Sequence, residues 1–247
     1  MEYPKHLLEK IREEVAVSYL RHELRKIFPS IKGGEVNNLM SCKELSNPRD
    51  FWNGIHGVGM GFKLHIGFIY LLTAENIKWT KEKLDLNQLF FGVDREITKL
   101  ARTREVKKIL EHKIGGIKMD WVDDKTREFD PIIACQKKEG LVVYEGNGRL
   151  NKFILEKRNT IDAFVGRYTT YNKKPINFWL PTSVIMDLLF FMYQAIDEKN
   201  EELFNAQITT LQNMLSYSES GKLEFKERAL TSKVEYREKI LKAMGTI

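Results

Sequence analysis

The chain has 247 residues, 43% of them hydrophobic and 11% aromatic, which is enough apolar material for a packed core and too much for a disordered polymer. Its net charge of +6, from 40 basic and 34 acidic residues, permits a nucleotide or nucleic-acid partner but lacks the sharp basic block of a dedicated DNA binder. Two cysteines far apart, Cys42 and Cys135, exclude a disulfide framework or a cysteine-rich zinc site.

Residues 4–28 open with a helical stripe that includes Leu7, Ile11, Val15, Leu20 and Leu24, and the stripe stops at Pro29 and the Gly33–Gly34 pair. The opening segment has no apolar signal-peptide core, so the expectation is a cytoplasmic protein. Residues 47–73 carry glycines at 54, 57, 59, 61 and 67. Phe62 stands where a dinucleotide fingerprint needs its third glycine, so close helix packing or a bent apolar segment is the expected reading. Residues 79–92 and 94–116 read as helices. The second is basic on one side (Arg95, Lys99, Arg102, Arg104, Lys107, Lys108) and is expected to end at Gly115–Gly116.

The pattern then changes. Short β-rich runs at 116–122, 130–136, 140–146 and 160–168 are separated by turn signals. Between the last two, Leu150, Phe153 and Ile154 have helical spacing. From Pro181 the pattern is helical again. Residues 182–198 are apolar almost all round, with Thr182 or Ser183 as the expected cap and Asp187 in the first turn. Residues 200–220 and 232–244 follow as amphipathic helices. The apolar windows 64–72 and 184–196 fall short of the ~20 residues that a membrane span requires. The predicted class is therefore α+β: a small mixed sheet at 117–170 between a mostly helical 1–116 and a helical 171–247.

The stretch "VVYEGNGRLNKF" (142–153) concentrates the chemistry. A strand ends at Glu145, and Gly146 and Gly148 leave no Cβ between backbone N–H groups and a ligand. The following helix adds unpaired first-turn N–H groups and a partial positive charge. Arg149 supplies a planar fork of donors, and Asn147 an amide. Glu145 can hold Arg149, take a sugar hydroxyl or ligate Mg²⁺. These residue types at this spacing point to an anion, most often a phosphate. The other reading is a plain glycine turn with Arg149 at the surface.

Residues 129–168, with Asp130–Pro131–Ile132–Ile133, the strand 141–144, Glu145–Gly146–Asn147–Gly148–Arg149 and the strand 161–168, resemble the ParB/sulfiredoxin-like superfamily. The resemblance implies a small mixed sheet that binds a nucleotide with its phosphates on Gly146, Asn147, Gly148 and Arg149. That superfamily includes partition CTPases, a sulfinic-acid reductase, a serine kinase and nuclease-like proteins. Asn147 stands where the reductase has its cysteine, and Asn147–Gly148 replaces the Glu-Arg of partition proteins. "EGNGR" also resembles the second half of the Fic motif of nucleotidyl transferases. The Fic histidine would fall at Leu141, and a strand replaces the Fic helix.

The acids Asp120, Asp123, Asp124, Glu128 and Asp130 precede the first core strand. Clustered carboxylates can hold Mg²⁺ or act as a general base. Glu145, Glu128 and Asp130 are the candidate catalytic groups, and strand pairing could bring the last two beside the turn. The metal ligands stay unassigned. The expected ligand is a nucleoside triphosphate with Mg²⁺ or DNA, in a ParB-like nuclease or NTPase. The alternative is a non-catalytic DNA- or protein-binding module that grips a backbone phosphate with the same turn. His56 and His65 read as packing or surface residues. Residues 166–175, "GRYTTYNKKP", interleave aromatics with Arg167, Lys173 and Lys174, a pattern that suits single-stranded nucleic acid or a polar loop.

Overall fold

A computed structural model describes residues 3–28, 47–61, 67–92, 100–112, 130–171 and 174–245. In chain order the described helices are α1 (Lys10–Ile27), α2 (Pro48–Gly61), α3 (Gly67–Thr73), α4 (Thr103–His112), α5 (Asn147–Leu155), α6 (Thr182–Asp197), α7 (Glu201–Leu215), α8 (Glu219–Leu230) and α9 (Val234–Met244). The strands are β1 (Ile77–Asp85), β2 (Leu89–Gly92), β3 (Leu100–Arg102), β4 (Ile132–Gln136), β5 (Leu141–Glu145) and β6 (Thr160–Tyr168). The class is α+β, with one mixed sheet and helical segments before and after it in the chain. Two compact units share these elements. A sheet unit spans Lys10–Asn37 and Ile77–Lys174, and a helical unit spans Met1–Glu9, Asn38–Asn76 and Pro175–Ile247.

The sheet runs in the order β1-β6-β4-β5-β2-β3. It is larger than the sequence pattern suggested, because residues 79–92, expected as a helix, form β1 and β2 with a short 3₁₀ turn between them, and Leu100–Arg102, inside the helix expected at 94–116, form β3, which pairs with β2. "KWTKEKLD" looks helical from its Lys and Glu content. In the fold, all nine residues of β1 pair antiparallel with β6, from Ile77↔Tyr168 to Asp85↔Thr160, and long-range pairing overrides weak local propensity. Asp85 then caps a 3₁₀ turn, Leu86–Gln88, by accepting from the Asn87 N–H at 2.8 Å. β1 is an edge strand. The exposed Lys78, Lys81 and Lys83 along it discourage pairing with another chain. The strand expected at 116–122 lies outside the described residues, as does the glycine pair expected to end the helix at 94–116.

The strands expected at 130–136, 140–146 and 160–168 correspond to β4, β5 and β6. β4 and β5 form an antiparallel hairpin closed by Lys137–Gly140, and α5 carries the chain across to β6, which runs parallel to β4. Leu150, Phe153 and Ile154 of α5 and Val106 of α4 pack with Ile132, Ala134, Val143, Ala163 and Val165 in one core. α1 runs beside β1, where the buried Arg12 donates to the Ile77 carbonyl at 2.7 Å.

In the helical unit, α6 to α9 bury Leu180, Ile185, Leu189, Met192, Phe204, Leu211 and Phe225 in a second core. Neither Thr182 nor Ser183 caps α6. The helix begins after Pro181 with no side-chain cap, Asn53 accepts from the Thr182 N–H at 3.2 Å, and Asp187 lies beyond the first turn. Asn200 and Ser218 do cap, accepting from the N–H groups of Leu203 and Gly221 at 3.0 Å each. The Ser218 cap starts α8, which separates the helices expected at 200–220 and 232–244. Gly54, Gly57, Gly59 and Gly61 all lie within α2, and a Cβ on Gly57 would meet nothing within 4 Å. Among the described residues no helix is long and apolar enough to cross a membrane.

Candidate functional site at the strand-to-helix turn

The turn owes its shape to Gly146. Its φ of +102° is left-handed, and a Cβ there would stand 2.4 Å from Ile132 Cγ2 and 2.9 Å from Arg149 Nη2. No L side chain fits both the dihedral and the space. The residue redirects the chain from β5 into α5 within one step, and the Gly146 carbonyl accepts from the Leu150 N–H at 2.9 Å. No side chain caps α5 and its first turn holds no acid, and the N–H groups of a first helical turn have no intrahelical acceptor. Asn147, the first helical residue, is exposed, whereas Gly148 is buried.

Arg149 is not a loose surface residue. It is 9% exposed, and its Nη1 donates to the backbone carbonyl of Asp130. That bond ties the first turn of α5 to the residue two places before β4. It also keeps a guanidinium fork at the turn, where a flexible arginine would otherwise lose rotamer entropy on binding. Glu145 is 8% exposed and pairs in register with Ile133 at an irregularity in the β4–β5 ladder.

Of the candidate catalytic acids, Asp130 is brought to the turn and Glu145 adjoins it. Glu128 lies outside the described residues, with Lys125 and Arg127. The Asp130 carboxylate faces α1: Arg21 Nη1 lies 3.3 Å from Oδ1 and His22 Nε2 lies 3.8 Å from Oδ2. Sequence reading missed Arg21 and His22. A signal was present, since Val15, Ser18 and His22 continue one helical stripe and all three are buried, so polar residues occupy places where the period demands apolar ones. Ser18 Oγ is shielded from solvent with no hydrogen-bond partner among the described residues.

Among the described residues no group of three His, Cys, Asp or Glu side chains gathers in metal-ligating geometry. A guanidinium and an imidazole at Asp130 suit an anion-rich neighbourhood better than a hard dication, so no magnesium step is assigned to this carboxylate. Elsewhere in the sheet unit, burial pushes the Cys135 thiol and the Tyr144 phenol above their ordinary values, and the nearby Cys135 raises Tyr144 further, so both stay neutral near pH 7. Arg167, at the end of β6, pairs with Glu82 of β1 across the sheet, with Nη2 2.9 Å from Oε2. In the stretch 166–175, Tyr171 stands fully exposed.

The formal charge is unevenly divided. The sheet unit carries 28 basic and 19 acidic residues, a net +9, whereas the helical unit carries 12 and 15, a net −3. No protein-family model matches the chain, and comparison with curated proteins finds no match.

Proposed function

We propose that the sheet unit is a ParB/sulfiredoxin-like domain that binds a nucleotide or nucleic acid by seating a phosphate on the turn Glu145–Gly146–Asn147–Gly148–Arg149. The observation that carries this reading is a left-handed, sterically obligatory glycine feeding a helix with no side-chain cap, with Arg149 fastened beside it. The order hairpin, turn, helix, parallel strand fits that superfamily's plan, and the net charge of +9 on this unit favours a polyanionic ligand. The engagement of Asp130 by Arg21 and His22 favours binding without catalysis over a nuclease or NTPase that uses Asp130 as its base. Fic-type transfer would require a base at 141, where Leu141 packs against the sheet core.

The test is a thermal-shift screen of ATP, CTP, GTP and short DNA, each with and without Mg²⁺, on wild type and Asn147→Glu. Asn147 is exposed, and an acid at the first turn of a helix stabilises it by about 0.3–1 kcal/mol while repelling an anion. The expected result is a ligand-dependent rise in melting temperature in wild type that disappears in an Asn147→Glu protein at least as stable. An equal shift in both proteins would overturn the proposal. Turnover of a nucleotide with Mg²⁺ would restore the enzyme reading over the binding one.

A further inference from the structure

β5 does not reach the turn alone. On the sheet face opposite the α5 core, Val142 and Tyr144 of β5 lie beside Phe90 of β2, because Phe90 and Val142 are partners in the parallel ladder and alternate residues share a face. Phe90 and Tyr144 are both half-buried. An exposed cation lies over each ring: Arg102 Cζ is 5.0 Å from the centroid of Phe90, and Lys137 Nζ is 5.1 Å from that of Tyr144. Lys138 is exposed beside Lys137, and Glu139 in the same turn leaves a cationic excess. The Phe90 ring is held from the side of the hairpin, where a Cβ on Gly140 would stand 2.8 Å from its Cε2. Two rings braced by the sheet, each with a solvent-exposed cation over it, form a stacking platform, and Tyr144 lies two residues before Gly146 in the chain.

We propose that the ligand of this unit is a single-stranded nucleic acid, with bases stacked on Phe90 and Tyr144 and backbone phosphates taken by Arg102, Lys137 and the turn 145–149. The inference rests on the phosphate seat proposed above and extends it from one phosphate to a strand. The physical logic is that each ring exchanges a weak cation–π contact, worth about 0.5–1 kcal/mol at an exposed site, for base stacking worth about 1–3 kcal/mol per base. The displaced cation then pairs with the phosphate beside that base. A duplex cannot do this, because its bases are stacked inside. The net charge of +9 on the unit supplies the sequence-independent attraction.

The experiment is fluorescence anisotropy with labelled dT and rU oligomers of about 12 nucleotides, within the usual range for such platforms, against a duplex of equal length, with CTP and ATP as competitors. The variants are Phe90→Leu, Tyr144→Leu, Lys137→Glu and Asn147→Glu in the full chain. Leucine keeps apolar volume at the half-buried rings and removes stacking, and Lys137→Glu tests the same platform from an exposed position. The expected result is single-stranded binding at least ~10-fold tighter than duplex binding, and a loss of about 5- to 100-fold in each leucine variant. Lys137→Glu is expected to weaken binding and flatten its salt dependence. The dT and rU arms separate DNA from RNA. Equal binding of duplex and single strand, or dT binding unchanged in both leucine variants and in Lys137→Glu, would overturn the inference. If mononucleotide binding is nevertheless lost in Asn147→Glu, the phosphate seat stands without the platform. If Asn147→Glu changes no ligand, the seat itself fails.

Discussion

The sheet unit and the helical unit use the same residue for opposite ends. Gly146, at the head of α5, sits at a positive φ with Ile132 Cγ2 2.4 Å from where its Cβ would be. Gly57, within α2, is exposed with nothing within 4 Å. The first glycine is a condition of the fold and the second only weakens its helix. A glycine thus marks a site when dihedral and packing both demand it, and glycine density by itself does not. The glycines at 54, 57, 59 and 61 lie inside α2, whereas Gly146 and Gly148 lie where β5 passes into α5.

The comparison breaks most readily at those two positions. Gly146→Ala is expected to cost about 2–4 kcal/mol, from a left-handed alanine and a core overlap together, whereas Gly57→Ala is expected to stabilise by about 0.8–1 kcal/mol by raising helix propensity. Urea denaturation of the two variants gives the signs directly, and equal signs would refute the contrast. A smaller effect separates the capping strategies. Ser218 is buried, accepts from the Gly221 N–H at 3.0 Å and donates to the Phe178 carbonyl at 2.5 Å. Ser218→Ala should therefore lower stability by about 1–2 kcal/mol, while Asn147→Ala at α5, where no cap is lost, should be close to neutral in the same assay.

The smallest expected effect is on pH dependence. In the helical unit, burial lowers the pKa of His56 from its ordinary 6.5. Above that value both folded and unfolded states hold a neutral imidazole. As pH falls below 6.5 the unfolded chain binds the proton first, so stability declines toward the depressed folded value. His56→Gln should remove that part of the decline. In the sheet unit, Arg167 and then Thr80 hold the Glu82 carboxyl below its ordinary 4.5. The stability it contributes is present above 4.5 and is lost only as pH falls through the lower folded value. A pH titration of the melting temperature on His56→Gln and Glu82→Gln distinguishes the two windows.

Most of the sheet unit around the turn was legible in the sequence. The β-rich runs of β4, β5 and β6, bounded by turn signals, and the helical spacing of Leu150, Phe153 and Ile154 are local signals, and the elements formed where those signals lay. β1 was not legible, because a strand of Lys and Glu is held by nine cross-strand partners that lie some 80 residues away in β6. The site divided the same way. Gly146 and Arg149 lie three positions apart in sequence and could be read as a motif. Arg21 and His22 reach Asp130 from α1 across more than 100 residues, and only the polar interruption of a buried stripe hinted at them. The exposed Arg149 of the plain-turn alternative is also corrected, since its guanidinium is buried on the Asp130 carbonyl.

The central claim is that the first turn of α5 receives a phosphate, and the most direct measurement is a two-dimensional ¹H–¹⁵N spectrum of the full chain titrated with inorganic phosphate, CTP and a short dT oligomer. The account predicts that the amide resonances of Asn147, Gly148 and Arg149 move with saturating, ligand-dependent shifts, and that Asn147→Glu abolishes them. Saturating shifts elsewhere in the chain, with these three amides unmoved, would contradict it.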